Sequence, residues 1–547
     1  MAGMHNNLMT SSRKSFVRGA AILASTSFLV KLIGILYGIP LNNILGSSGA
    51  GLFGTAYPFY TYLLMLSTAG LPPTIAKLVA ERETEGDHAG AKKIFKISLI
   101  LMTGLGLFFS VFLFAFSKQF ALYVAQDPLA ELPIATIAPA IVIVSIMAAI
   151  RGYFQGLQNM IPTAVSQIAE QVGKIIFGIA LAILLVPKGI EYGAAGAIAG
   201  VVISEIIGLI VVIGFYITKA PKTKEKAKAD ISTKKILKQI LSIAFPILLG
   251  ASIMPLVQFI DSVIIKARLQ SIGYTLDSAR ELFGLFSRFV NQLINVPGSI
   301  SLAFCVSMVP AAAAAIARKD TELLNRNINL GYKLSMMVAV PSAVGLIVLA
   351  GPIMRLFYSS EWANNPQYYP ITVNLLAIMS GGVIFLSILQ TFNGLLQGMG
   401  KVYVPVIALT AGAITKIVLC YVLVGIPYFN IYGAPISTFA CYVVAAGIDI
   451  AVIKKLTKVK FSKNMFNLRI ILASAMMGAV VWGSFELIKK ILGSSYATLI
   501  SVVIGVAVFL IGLVIFKVMT KDEMRMIPGG GRLAKLYTMV WERKNEQ

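Results

Sequence analysis

The chain has 547 residues, 57% of them hydrophobic and only 13% charged, with a mean hydropathy of +0.83. A soluble protein of this length does not carry so much apolar surface, so the composition excludes one and points to an all-α polytopic membrane protein. The formal charge of +24 would suit nucleic acid, but the distribution of that charge along the chain has a simpler explanation given below.

Met1 to Arg18 carries Arg13, Lys14 and Arg18 ahead of an apolar run, in the manner of a signal sequence, yet no small-residue cleavage site follows, and the first span is expected to be retained. A helix needs about 20 apolar residues to cross the hydrocarbon core. Fourteen stretches meet that requirement: 17 to 39, 52 to 77, 94 to 116, 132 to 155, 161 to 186, 193 to 217, 239 to 265, 281 to 314, 331 to 354, 369 to 396, 402 to 424, 431 to 453, 467 to 488 and 495 to 516. Between the sixth and seventh lies KAPKTKEKAKADISTKKILK, Lys219 to Lys238, with eight lysines against Glu225 and Asp230. Such a run cannot lie inside a bilayer and reads as an aqueous, cytoplasmic hinge between two membrane-embedded halves. The expected organisation is a six-helix lobe over 1–217, the basic linker 218–238, a second six-helix lobe over 239–460, and two further helices with a basic tail over 461–547.

Cytoplasmic loops of membrane proteins are enriched in Lys and Arg. With the N-terminus inside, the inner segments and tails hold 35 of the 47 basic residues and the outer loops hold 8. That asymmetry places both termini in the cytoplasm and removes the need for nucleic acid. The four remaining cations, Lys31, Lys174, Arg288 and Lys416, fall within predicted spans. Each costs on the order of 2.5–3.5 kcal/mol at the centre of a membrane helix, so each requires a reason.

Short matches recur in order on either side of the linker. Leu52-Phe53-Gly54 answers Leu282-Phe283-Gly284, Lys96-Ile97-Ser98 answers Lys333-Leu334-Ser335, and Tyr192-Gly193-Ala194 answers Tyr432-Gly433-Ala434. Gln155-Gly156 precedes Lys174 by the same interval as Gln397-Gly398 precedes Lys416. Their common order indicates that spans one to six and seven to twelve are parallel copies, with thirteen and fourteen added.

In span eight, Gly284, Arg288, Asn291, Gln292, Asn295 and Ser299 recur at spacings of three and four, which share a helical face. A lipid-facing helix would not keep such a column, so the face lines water or a polar substrate, or else glues helices together. Ser27, Lys31, Gly34 and Gly38 form a shorter version in span one, and Tyr57, Thr61 and Thr68 another in span two. Gln258 and Asp261, three apart, add a polar face to span seven. Glu170 and Lys174 are four apart in the order that favours an intrahelical pair. Lys416 has Gly412 where Lys174 has Glu170, and would pair with Glu205 or Asp449 or line the cavity. Glu205, Asp261 and Glu170 are the candidate cation or proton sites. Many prolines, among them Pro72, Pro73, Pro139, Pro246, Pro255, Pro297, Pro310 and Pro341, fall inside spans and are read as kinks. Cys305, Cys420 and Cys441 lie within spans and His5 and His88 outside them, which leaves no disulfide framework and no metal-ligand spacing.

Six plus six plus two spans, the basic linker, VKLIGILYGIP (Val30 to Pro40), TAGLPPTIAKLVAE (Thr68 to Glu81) and SRFVNQLINVPGSI (Ser287 to Ile300) resemble the MurJ lipid II flippases and the SpoVB-like group of the polysaccharide-exporter superfamily. The resemblance implies a transporter rather than an enzyme: alternating-access export of an undecaprenyl-pyrophosphate-linked saccharide, most readily lipid II, with cavity cations on the pyrophosphate. The family's cationic positions in spans one and eight match Lys31 and Arg288, with Ser27, Asn291, Gln292 and Asn295 beside them. Two other family arginines are replaced, by Tyr37 and near Met65. In the family the last two spans form a groove for the polyprenyl tail, which suits the uncharged interiors of spans thirteen and fourteen. No cofactor is implied; the coupling energy is the membrane potential, Na+ or H+, and the partners are the lipid-linked precursor and membrane lipids, with the chain acting as a monomer. Alternatives are a flippase for a capsule, teichoic or exopolysaccharide precursor, a cation-coupled multidrug exporter, a membrane-bound transferase and a structural division or sporulation protein. Paired cavity cations disfavour a cationic drug, and no outer loop is long enough for a catalytic domain.

Overall fold

A computed structural model of the chain describes the backbone of residues 2–221, 232–457 and 468–519, with side chains from residue 26 onward in those ranges except at 27, 28, 31, 32, 35, 303 and 306. The described residues are helical with short connections and contain no strands. In chain order the main helices are α1 (Ala2–Thr68), α2 (Leu71–Thr84), α3 (His88–Ala115), α4 (Pro128–Gly156), α5 (Ile161–Lys188), α6 (Ile190–Lys219), α7 (Thr233–Ser271), α8 (Leu276–Ala317), α9 (Thr321–Val348), α10 (Tyr368–Gly398), α11 (Tyr403–Val424), α12 (Asn430–Thr457), α13 (Leu468–Leu492) and α14 (Ser494–Ile515). Thirteen candidate membrane crossings are present among the described residues. The first expected span, 17 to 39, occupies the first half of α1.

Local chemistry sets the helix boundaries. Gly46 takes a left-handed backbone (φ 63°) that breaks α1 in two, and Gly70 (φ 77°) separates α1 from α2. Asp87 and Asp320 cap α3 and α9 by accepting from the backbone N–H of Gly90 (2.9 Å) and Leu323 (2.8 Å). Pro72 and Pro73, expected as kinks, begin α2 instead, where a missing N–H costs nothing, whereas Pro139 lies inside α4 at a break in the helix after Ile137. Pro246, Pro255, Pro297, Pro310 and Pro341 do lie inside helices.

The chain divides into two compact units, 1–288 and 289–547. The division falls within α8, in a π-helical stretch at Leu285–Val290, so α7 and the start of α8 belong with the first six spans. Residues 222–231 of the expected hinge lie outside the described residues. In the first unit an aromatic cluster forms where Phe59 meets Phe120 and Phe259 edge-on, and Tyr62 stacks on Phe259.

The internal repeat has a physical counterpart in each unit. In the first, Ser67 and Ser145 hydroxyls meet at 3.1 Å; in the second, Ser301 and Ser387 meet at 2.5 Å. Gly152 and Gly156 of α4 seat against the carbonyls of Pro72 and Ala76, and Gly394 and Gly398 of α10 seat against those of Cys305 and Val309. Both units therefore use one small-residue helix crossing twice, with a serine pair beside it.

Candidate functional site

The second half of α1 crosses the first turns of α8 at small residues. A side chain at Gly284 would overlap the Ser47 carbonyl, one at Gly51 would overlap the Arg280 carbonyl, and one at Gly54 would come within 2.5 Å of Ser287 Oγ. This close approach carries Arg288 onto α1. Its guanidinium lies over the Phe53 ring, 4.3 Å from the centroid, in a half-buried position. Phe53 stacks on Tyr57 at 5.4 Å, and Tyr57 meets Tyr60 edge-on at 5.5 Å. The result is a cation backed by an aromatic ladder, and a guanidinium is a planar fork that suits an anion. Tyr37, where the resembling family has arginine, is buried with its hydroxyl against Gly178 of α5. Ser27 and Lys31 lie on α1, but their side chains are outside the described residues.

The single polar column expected in span eight is not continuous. The π-helical stretch around Arg288 adds a residue to the turn, so the spacing of three and four does not carry one face through it. Beyond it, in the second unit, Asn291 and Gln292 are half-buried and Asn295 is exposed, while buried Ser299 donates to the Asn295 carbonyl at 2.7 Å. Thr61 and Thr68 likewise donate to carbonyls of their own helix, at Pro58 and Leu64.

Several charge assignments are corrected. Glu170 does not pair with Lys174: it accepts from Arg151 of α4, whose Nε and Nη2 also reach Ser166 Oγ at 3.0 and 2.7 Å. Lys174 instead pairs with Glu205 of α6 at 3.2 Å. The tertiary partners win because a buried carboxylate gains more from a desolvated cation on a facing helix than from a neighbour on its own surface. Both acids are thus neutralised by protein cations, and the reading of Glu170 and Glu205 as open cation sites is withdrawn. Glu205 is for the same reason not the partner of Lys416. Lys416 is buried on α11, and Asp449, buried on α12, hydrogen-bonds to none of the described residues. Asp261 is buried on α7 whereas Gln258 is exposed, so their spacing does not make a shared polar lining.

One cluster was not anticipated. Asp127, in the connection between α3 and α4, has no exposed surface and takes two hydrogen bonds from Arg280, Nε at 2.8 Å and Nη2 at 2.7 Å. Lys266 Nζ lies 3.7 Å from the same carboxylate and donates to Thr55 Oγ1 at 3.0 Å. The available signal is that the expected outer loop 266 to 280 carries three basic residues, Lys266, Arg268 and Arg280.

With the geometry in place, comparison with known proteins is direct. A family model described as polysaccharide biosynthesis protein matches residues 16–315. The chain belongs to that family. A second model, MatE, matches residues 287–422. Among relatives of this family member, Stage V sporulation protein B of Bacillus subtilis is 26% identical over 541 residues, covering 95% of this chain and 99% of the relative. Lipid II flippase MurJ of the same organism is 27% identical over 506 residues, covering 87% and 89%. Among solved structures, lipid II flippase MurJ in an inward closed conformation superposes with a TM-score of 0.69 at 20% identity, covering 90% of this chain and 98% of the other. An inward-facing multidrug resistance MATE family transporter of the MOP superfamily gives 0.65 at 17%, covering 79% and 96%. The family member is a multi-pass membrane protein with the MurJ and MATE fold.

Proposed function

We propose that this protein moves a lipid-linked saccharide, carried on a polyprenyl pyrophosphate, from the inner to the outer leaflet by alternating access, and that the carried precursor is lipid II. The observation that carries the reading is Arg288 held over Phe53, on a helix long and apolar enough to cross a membrane. A pyrophosphate crossing a low-dielectric region needs positive charge, and a guanidinium offers a planar fork that fits phosphate oxygens. Lys31 is its partner cation, and Asn291, Gln292 and Asn295 are neutral donors suited to sugar hydroxyls. Similarity to a named lipid II flippase over 87% of the chain supports the same cargo class.

The protein is a transporter, not an enzyme, with both termini in the cytoplasm, the basic stretch 218–238 as an inner linker between six-helix halves, and a monomeric working unit. Among the described residues no group of three or more His, Cys, Asp or Glu side chains could hold a metal. The membrane potential, with Asp261 as the remaining candidate acid for Na+ or H+, is the driving force we favour. The second reading, a multidrug exporter, has the match of the MatE family model to residues 287–422 behind it; paired cations disfavour a cationic cargo.

The test is depletion of the protein in its own cells with mass spectrometry of lipid-linked precursors. Accumulated lipid II on the inner leaflet supports the proposal, accumulation of a different lipid-linked saccharide replaces the cargo, and an unchanged precursor pool rejects it.

A further inference from the structure

The unanticipated charge cluster does more than satisfy its own members. Asp127 is fixed by its backbone: its N–H donates to the Ala121 carbonyl at 2.9 Å and its carbonyl accepts from Ala130 at 3.0 Å. Gln126 before it takes a left-handed φ of 51°, and Pro128 after it opens α4. The carboxylate is thereby presented, rigidly, to two cations from the α7–α8 hairpin. Thr55, which receives Lys266, donates to the Gly51 carbonyl at 2.9 Å, at the point where α1 passes beneath Arg280. Arg280 also reaches Asp277 at 2.6 Å, a side chain 79% exposed. One fully buried carboxylate thus ties together three parts of the first unit: the α3–α4 connection, the second half of α1 and the α7–α8 hairpin.

On the topology proposed above all three parts lie on the outer side. We propose that Asp127, Lys266 and Arg280 form a latch that holds the outer side of the first unit shut, and that it separates when that side opens. This rests on the alternating-access reading. Two features make the junction a latch rather than a permanent staple. Buried ion pairs nearly break even against hydration, so this contact can be exchanged for water at small net cost, whereas an apolar seam of equal area could not. The helices beneath it cross at small residues, Ser47, Gly51, Gly54, Gly284 and Ser287. The first stretch of α8, which carries Arg280, also has a hinge on each side: Gly273 at φ 103° between α7 and α8, and the π-helical stretch Leu285–Val290.

Removing the carboxylate leaves two cations desolvated in the shut state only, so the population should move toward the open one. The test uses the full chain in intact cells with Cys305, Cys420 and Cys441 replaced by alanine and Ser47→Cys as reporter, a position 2% exposed at the crossing. Labelling by a membrane-impermeant maleimide should be slow. Asp127→Asn should speed it about tenfold, the scale of one charge-assisted hydrogen bond. Arg280→Lys, which keeps the charge and loses the fork, should give a smaller rise, and adding Lys266→Met to Asp127→Asn, which removes one of the two stranded cations, should slow labelling again. Two results overturn the latch: labelling unchanged in both single variants, or a fall in abundance and melting temperature in Asp127→Asn that Lys266→Met does not reverse. The assay reads exposure of residue 47 and not movement of cargo, so its outcome is separable from that of the precursor measurement.

Discussion

Arg288 illustrates how far a single residue can be read. An arginine within an apolar span is costly, and that cost singles it out in the sequence. The ring that supports it could not be singled out, because Phe53 is one of 30 phenylalanines and only the crossing of α1 and α8 selects it. Losing the arginine's contacts to a phosphate should weaken cargo binding by roughly 1.5–3 kcal/mol. Arg288→Ala should therefore abolish complementation of a depleted strain while the protein still inserts, and Arg288→Lys should recover part of the function because the fork is lost but the charge kept. Phe53→Leu should reduce transport by an amount consistent with a cation–π contact of about 0.5–2 kcal/mol, with abundance unchanged on immunoblots. Lys31→Arg should be milder than Lys31→Ala. An abundant and fully active Arg288→Ala protein would remove the cationic site from the mechanism.

For elements, the informative contrast is between charge pairs along one helix and pairs between helices. Lys77 and Glu81 are four apart on α2 and more than half exposed, and they do form the pair their spacing predicts, at 3.8 Å. Glu170 and Lys174 have the same spacing, but Glu170 is buried and Lys174 half-buried, and each takes a partner from another helix. Arg151→Ala should accordingly destabilise by about 3–5 kcal/mol, since it strands a buried carboxylate, whereas Lys77→Ala should change stability by less than about 1 kcal/mol. Thermal unfolding of the purified variants separates the two. The glycines make a parallel case. Gly394 meets the Cys305 carbonyl where a side chain would stand, while Gly104 on α3 has nothing within 4 Å. Gly394→Ala should cost about 1–3 kcal/mol by forcing helices apart, and Gly104→Ala should be neutral or slightly stabilising by helix propensity. Equal effects at the two positions would reject the close-packed crossing.

At the scale of the whole molecule, topology rests on charge counting and is open to a direct check. Single cysteines at Lys224, which lies outside the described residues, and at Tyr274 should respond differently to an impermeant reagent in intact cells. Only the cysteine at 274 should label; labelling at 224 would invert the orientation. The repeat is legible as scattered matches of two and three residues, and the serine pairs and glycine seats in the two units give it a structural meaning. The boundary between compact units was not legible. The basic stretch marks where the chain must leave the membrane, but α7 and the start of α8 pack with the first six spans, and the units divide at Arg288.

The sequence by itself determined that the chain is a helical membrane protein, roughly where it crosses, and which cations sit too deep to be incidental. Those properties follow from transfer energies of single residues and need no knowledge of neighbours. Only the tertiary structure decided which acid neutralises which base, that Phe53 underlies Arg288, and that Asp127 gathers Lys266 and Arg280 from a distant hairpin. These are pair properties: hydrogen bonds and contact ion pairs form only where two groups come within a few ångströms, so they depend on which helix faces meet, and helix spacing along the chain does not encode that.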